Sequence, residues 1–211
     1  MYTPAFNKID DRAVLLEAMR TWSFAILFGP GIDGTPTATH LPLVVMDESE
    51  FGVLEGHFAK ANPHWKALAG REVLVVFAGA HSYVSPTLYF NPKSVPTWNY
   101  IAVHATGILE VMEDDPADEQ ATFEHKDALL KRLIAVNEPA YAEQWNAQPI
   151  GYRISMTNGI VGFRISIAKL EGKFKLSQNR PEDDRARIKA AQAVGSPDER
   201  MLSAWMERLI P

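Results

Sequence analysis

Eight residues, GPGIDGTP at positions 29–36, place three glycines and two prolines between two apolar runs. Glycine tolerates the positive φ of a tight turn, and proline fixes φ while removing a hydrogen-bond donor. The segment therefore predicts a hairpin joining WSFAILF (22–28) to TATHLPLVVM (37–46). A hairpin commits its strands to antiparallel pairing, which sets the fold class early.

Further strands follow the same reading. FGVLEGHF (51–58) comes next, and REVLVVFAG (71–79) is almost wholly apolar, as a central strand would be. NYIAVHATGILEVM (99–112) is long enough to bend, with Gly107 marking the bend or a bulge. GIVGFRISIAKLEGKFKL (159–176) reads as a last strand pair, with Phe163, Ile165 and Ile167 on one face and Arg164, Ser166 and Ala168 on the other. GAHSYVSPT reads as a loop that carries His81.

Helical patterning appears in four places. Asp10 or Asp11 caps a helix through about Arg20, and residues 115–147 have helical spacing with charged faces. RPEDDRARIKAAQAVGSPDERMLSAWMERLI predicts two short helices, 182–194 and 197–209, broken at Gly195–Pro197. Strands fill the first half and return near 160. That order implies a mostly β chain with helices (α+β), an antiparallel barrel decorated by helices rather than a parallel sheet. The expected division is a barrel domain over 1–180, with a helical insertion at 115–147, and a C-terminal helical pair over 181–211 packed on the barrel or a partner. No GxGxxG follows the first strand and no GxxxxGK[ST] occurs, so Rossmann and P-loop readings fail.

Composition narrows the chemistry. The 211 residues include no cysteine, which removes disulfides, thiolate catalysis, zinc–thiolate sites and Fe–S clusters. A formal charge of −5 argues against coating DNA or an anionic membrane, because phosphate binding is driven by Lys and Arg. No apolar run approaches the roughly 20 residues of a membrane helix, and MYTPAFNKIDDRAVLL lacks a signal-peptide pattern, so a cytoplasmic protein is expected.

One corner concentrates polar chemistry. GHFAKANPHW (56–65) gathers His57, Lys60, Asn62 and His64 where a strand gives way to a helix. Asn62 is a strong N-cap and Pro63 suits the first helical position, so a helix is expected from Pro63 to Gly70. A helix N-terminus beside a lysine suits a phosphate. The same residues also make an ordinary capped helix with a solvated lysine. His40 lies in a strand that Pro42 confines to an edge or bulge, and no HxH or HExxH spacing supports a metal site. Ser85 lacks the glycines of a nucleophile elbow.

GHFAKANPHW, HSYVSPTLY, VPTWNYIAVHATG and KLSQNR, in that order, resemble the PaiB-like family of FMN-binding negative transcriptional regulators, over about residues 1–185. The resemblance implies an antiparallel split β-barrel of the FMN-binding, pyridoxamine-phosphate-oxidase-like type, a homodimer with FMN at its interface. It implies that Thr39, His40 and Leu41 of the hairpin strand and His57, Lys60, Ala61 and Asn62 of the corner contact the flavin, the corner cradling its phosphate. Tyr83, Ser85 and Trp98 would lie near the ring, from the same or the other subunit. Relative to the oxidases of that superfamily, His40 and Pro42 stand where an arginine- and lysine-flanked phosphate motif would be.

Two other classes fit the same residues: a flavin-dependent oxidoreductase acting on a small molecule, and a cofactor-free dimeric interaction module. DNA as a partner comes from the family resemblance alone. PDERMLSAWMER carries three acidic and two basic residues, unlike a recognition helix that meets phosphates, and Met201, Leu202, Trp205 and Leu209 form an apolar stripe suited to docking.

Overall fold

The computed structural model describes residues 1–210. Eight strands form one antiparallel sheet: β1 (Lys8–Ile9), β2 (Phe24–Pro30), β3 (Pro36–Pro42), β4 (Val44–Met46), β5 (Val53–Ala59), β6 (Glu72–Val84), β7 (Thr97–Val111) and β8 (Ile160–Lys175). Their order is β3-β2-β6-β7-β8-β5-β4, with β1 on β8, so the path does not close on itself. Seven α-helices accompany it among the described residues: α1 (Arg12–Thr21), α2 (His64–Leu68), α3 (Glu119–Asn137), α4 (Tyr141–Ala147), α5 (Ile150–Asn158), α6 (Glu182–Ala193) and α7 (Pro197–Leu209). The antiparallel fold with added helices is the one expected.

The chain divides into two compact units, and the long strands β6, β7 and β8 supply residues to both. In the unit built from 19–77 and 105–170, the predicted hairpin pairs Phe24↔Pro42 through Pro30↔Pro36, and β2 continues onto β6 with Ile26↔Val76. The run 37–46, expected as one strand, is two. Pro42 ends the ladder with β2, and Val44–Met46 then pairs with β5. Phe58 and Phe163 meet at 5.0 Å in a core with Leu27, Leu54 and Val75. Gly107 is a point of close approach: a Cβ there would lie 2.2 Å from the Ser166 carbonyl oxygen.

In this unit α3 packs on β4 and β5, α4 and α5 pack on α3, and α5 lies beyond the predicted boundary at 147. Its sequence, IGYRISMTN, mixes glycine and β-branched residues, which lowers intrinsic helix preference. Tertiary contacts override that preference. Asp127 of α3 accepts from Trp145 Nε1–H of α4 at 2.8 Å and from Arg153 of α5 at 3.2 Å, tying all three together.

The second unit holds residues 1–18, 78–104 and those from 171 on. Asp11 caps α1 as predicted, accepting from the Ala13 and Val14 amides. The segment read as the loop GAHSYVSPT is strand through Val84. Ala80, Ser82 and Val84 are buried and alternate with His81 and Tyr83, a period of two hidden in the sequence by small residues. The expected strand pair over 159–176 is one 16-residue strand, because Glu171–Gly172 does not turn but continues onto β1 with Ile9↔Gly172. A capping box between Ser196 and Glu199 starts α7, whose Leu202, Trp205 and Met206 are buried, with Trp205 edge-on to Phe174 at 5.2 Å.

Candidate functional site

The corner begins on β5, where side chains alternate. Phe58 points to the core while Glu55 and His57 take the opposite face. Glu55 meets Arg132 of α3 there, and His57 lines a cavity of about 450 Å³ with Pro42, Leu130, Ile134, Tyr141 and Trp145. Burial holds the His57 imidazole below its ordinary value of 6.5, and its Nδ1 is buried without a partner. His57 thus faces the helical layer.

After β5 the chain is pinned at both ends. The Lys60 amide donates to the Gly159 carbonyl at 2.8 Å, and Trp65 Nε1–H donates to the Lys60 carbonyl at 3.2 Å. Asn62 Oδ1 accepts from the His64 amide at 3.0 Å, but the helix that follows is only His64–Leu68, shorter than the expected 63–70. Ala61 is exposed. The Lys60 side chain, half exposed, donates to Asp114 at 3.1 Å, and the fully buried Lys126 takes the other oxygen of that carboxylate. Burial opposes ionisation of Asp114, but the two lysines outweigh it and hold its pKa below 3.8. Two ammonium groups therefore share one carboxylate.

His64 joins the corner to the hairpin. Its Nδ1 and the Thr39 hydroxyl are 2.8 Å apart, and the ring is 3% exposed. Burial lowers its pKa, against an opposing hydrogen bond to the Gly29 carbonyl. A Cβ on Gly29 would sit 2.3 Å from Leu68 Cδ2, so glycine is what lets α2 close on β2. Leu41 is buried on the Thr39 side of β3, whereas His40 lies on the opposite, exposed side, stacked on Phe24 at 6.2 Å.

The second unit holds the other expected residues. Tyr83 and Trp98 meet edge-to-face at 6.0 Å with His81 at 6.2 Å from Trp98, and both aromatics are about half exposed, 51% and 53%. The Ser85 hydroxyl is used locally, bonding Thr87 Oγ1 at 2.9 Å and capping the turn Pro86–Leu88. Of the ten expected contacts, the structure joins Thr39 to the corner through His64, keeps Lys60, Ala61 and Asn62 on one turn, and pairs Tyr83 with Trp98. It turns His57 and His40 away from Thr39. Lys126, Asp114 and Phe24 were not found from the sequence, because Lys126 and Asp114 lie more than fifty residues from the corner and carry no local pattern. Among the described residues no group of three or more metal-ligating side chains converges.

The family model described as "Putative FMN-binding domain" matches residues 1–169. The chain belongs to this family. Its cofactor is FMN, and each unit holds side chains of fitting chemistry: in one, the Lys60 ammonium for a phosphate and the exposed Phe24–His40 ring pair, and in the other, the exposed Tyr83–Trp98 pair, each pair a surface for a flat heterocycle. Among relatives, the Protease synthase and sporulation protein PAI 2 of Bacillus subtilis is 33% identical over 209 residues, 98% of this chain and 97% of that protein. An uncharacterized protein of Emericella nidulans is 34% identical over 70% of this chain and 71% of its own length. The fold is shared with the FAD and heme binding protein from Mycobacterium smegmatis (TM-score 0.59, 20% identity, 87% of this chain and 80% of that one). It is also shared with the flavocytochrome Anf3 from Azotobacter vinelandii (TM-score 0.60, 17% identity, 86% and 75%).

Proposed function

We propose that this family member is a homodimeric regulator that reads FMN, with the flavin phosphate seated on the Lys60 corner. The observation that carries the reading is the sharing there: Lys60 and Lys126 both pair with the Asp114 carboxylate. A phosphate approaching Lys60 releases it from Asp114, whose charge Lys126 still balances. Lys60 then supplies a charge-assisted bond. Thr39, positioned by His64, with the exposed Ala61 and the half-buried Asn62, completes the proposed cofactor surface on this unit over Leu41 as its apolar floor, and His40 adds ring surface on the other side of β3. Tyr83 and Trp98 provide aromatic surface, and Ser85 a polar edge, for the ring of the same or a partner's flavin. His57 contributes to this reading only through the strand that leads into Lys60. When bound, FMN supplies one- or two-electron redox chemistry; the chain's own groups bind and orient it.

The regulatory half of the proposal rests on the name of the Bacillus relative, which refers to protease synthesis and sporulation. DNA contact through α7 has little support, since the helix carries Asp198, Glu199 and Glu207 and buries its apolar side in its own unit. Regulation through a partner protein fits that surface better.

The test compares FMN with riboflavin, which lacks the phosphate. A hydrogen bond to a charged group contributes about 1.5–3 kcal/mol, so Lys60→Ala weakens FMN binding on the order of 10- to 100-fold and leaves riboflavin nearly unchanged. Equal effects on the two ligands, or none, remove the phosphate from this corner.

A further inference from the structure

The end of β8 gathers three cations, and among the described residues none of them is in a salt bridge with a carboxylate. Lys173 donates to the Tyr2 carbonyl at 3.1 Å and lies 5.3 Å from the Tyr100 ring. Lys175 donates to Thr97 Oγ1, and the Arg180 guanidinium lies 4.0 Å over the Tyr89 ring. Burial, followed by the like charges of Lys173 and Arg180, pushes the Lys175 ammonium below its ordinary 10.5, and no acidic group offsets them. The buried carboxylate of the neighbouring α6, Asp184, is taken by the Phe90 amide at 2.7 Å. Like charges held together in a partly buried place raise the energy of the fold unless an anion joins them.

A second observation is independent of charge. Asn99 is fully buried, its Oδ1 accepts from the Ser177 hydroxyl at 2.9 Å, and its Nδ2–H groups have no partner. The Tyr89 hydroxyl is likewise buried and unpartnered. Buried donors are nearly always satisfied, so an orphan amide marks a missing acceptor. Asn99 and Thr97 are two apart on β7 and share a face, the one that meets Lys175 and Ser177. The segment that builds this place, KLSQNR, has no part in the corner.

We propose that Lys175, Arg180 and the Asn99 amide form a site for a phosphate group, separate from the Lys60 corner. Lys175 and Arg180, with Lys173 nearby, match a dianion better than a carboxylate, and the Asn99 amide supplies a neutral donor beside them. The phosphate belongs either to a flavin or to another phosphorylated ligand. The chemistry of the site is the same for both.

The test follows thermal unfolding of the full chain at constant ionic strength while inorganic phosphate replaces chloride, since a ligand that binds only the folded state raises its stability. Wild type gains stability with phosphate. Lys175→Met and Arg180→Gln each weaken that response on the order of tenfold, the loss of one charge-assisted bond, and Lys131→Met, on α3 in the other unit, keeps it. Lys175→Met without phosphate is at least as stable as wild type, because it removes a repelled charge; a merely structural lysine would show a loss. Should Lys175→Met fold poorly, Arg180→Gln carries the same comparison. FMN and riboflavin titrations separate the sources. FMN weakened about tenfold in Lys175→Met, with riboflavin unchanged, assigns the site to the flavin phosphate; FMN unchanged while the phosphate response falls assigns it to another ligand. No response in wild type, a response that survives in both variants, or one lost as much in Lys131→Met overturns the site.

Discussion

Asp114 is the side chain that decides how available Lys60 is. It holds Lys60 at 3.1 Å and is the partner of the fully buried Lys126. Asp114→Asn should therefore do two opposite things. FMN binding tightens several-fold because Lys60 is released, while stability falls by about 3 kcal/mol, the scale for stranding a buried charge. Paired flavin titration and chemical denaturation check both. Because the folded Asp114 pKa lies below 3.8, its stabilisation is complete above the unfolded value and is lost as pH falls through the folded one. The acid limb of the wild-type stability curve should be steeper than that of Asp114→Asn. A wild-type curve no steeper than the variant's would show that the two lysines do not stabilise the carboxylate.

At the scale of elements, the helical layer stands on one carboxylate. Asp127 binds Lys131 at 2.7 Å within α3, Trp145 of α4 and Arg153 of α5, and these partners lower its pKa against the opposing cost of its burial. Asp127→Ala leaves the Trp145 and Arg153 donors unsatisfied, so a loss of about 2–4 kcal/mol is expected. Hydrogen exchange should quicken first in α4 and α5. Uniform exchange across the sheet would instead mean that the layer and sheet open together. Such joints explain what the sequence left hidden. The hairpin at 29–36, the cap at Asp11 and the apolar run of β6 act locally, and each was legible. The break at Pro42, the extension of β6 through Ser82 and the whole of α5 depend on distant partners. Likewise Lys60 was legible as a corner cation, but its Asp114–Lys126 neighbours were not.

For the whole molecule, four of the exposed aromatic and apolar side chains fall within residues 83–98: Tyr83, Phe90, Val95 and Trp98. Exposed patches of this kind accompany interfaces, and the proposed homodimer would cover them. Sedimentation at micromolar protein should show a species of twice 23.5 kDa, and Trp98→Lys should shift it toward monomer. A clean wild-type monomer removes the shared flavin site. The account as a whole rests on bound FMN with its phosphate engaged by the chain. Titration of cofactor-stripped protein with FMN and with riboflavin, followed by quenching of flavin fluorescence, tests that most directly. The account predicts saturable binding of FMN at least tenfold tighter than riboflavin, the contribution of one charge-assisted phosphate contact. Equal affinity for the two flavins, or no saturable binding of FMN, would contradict it.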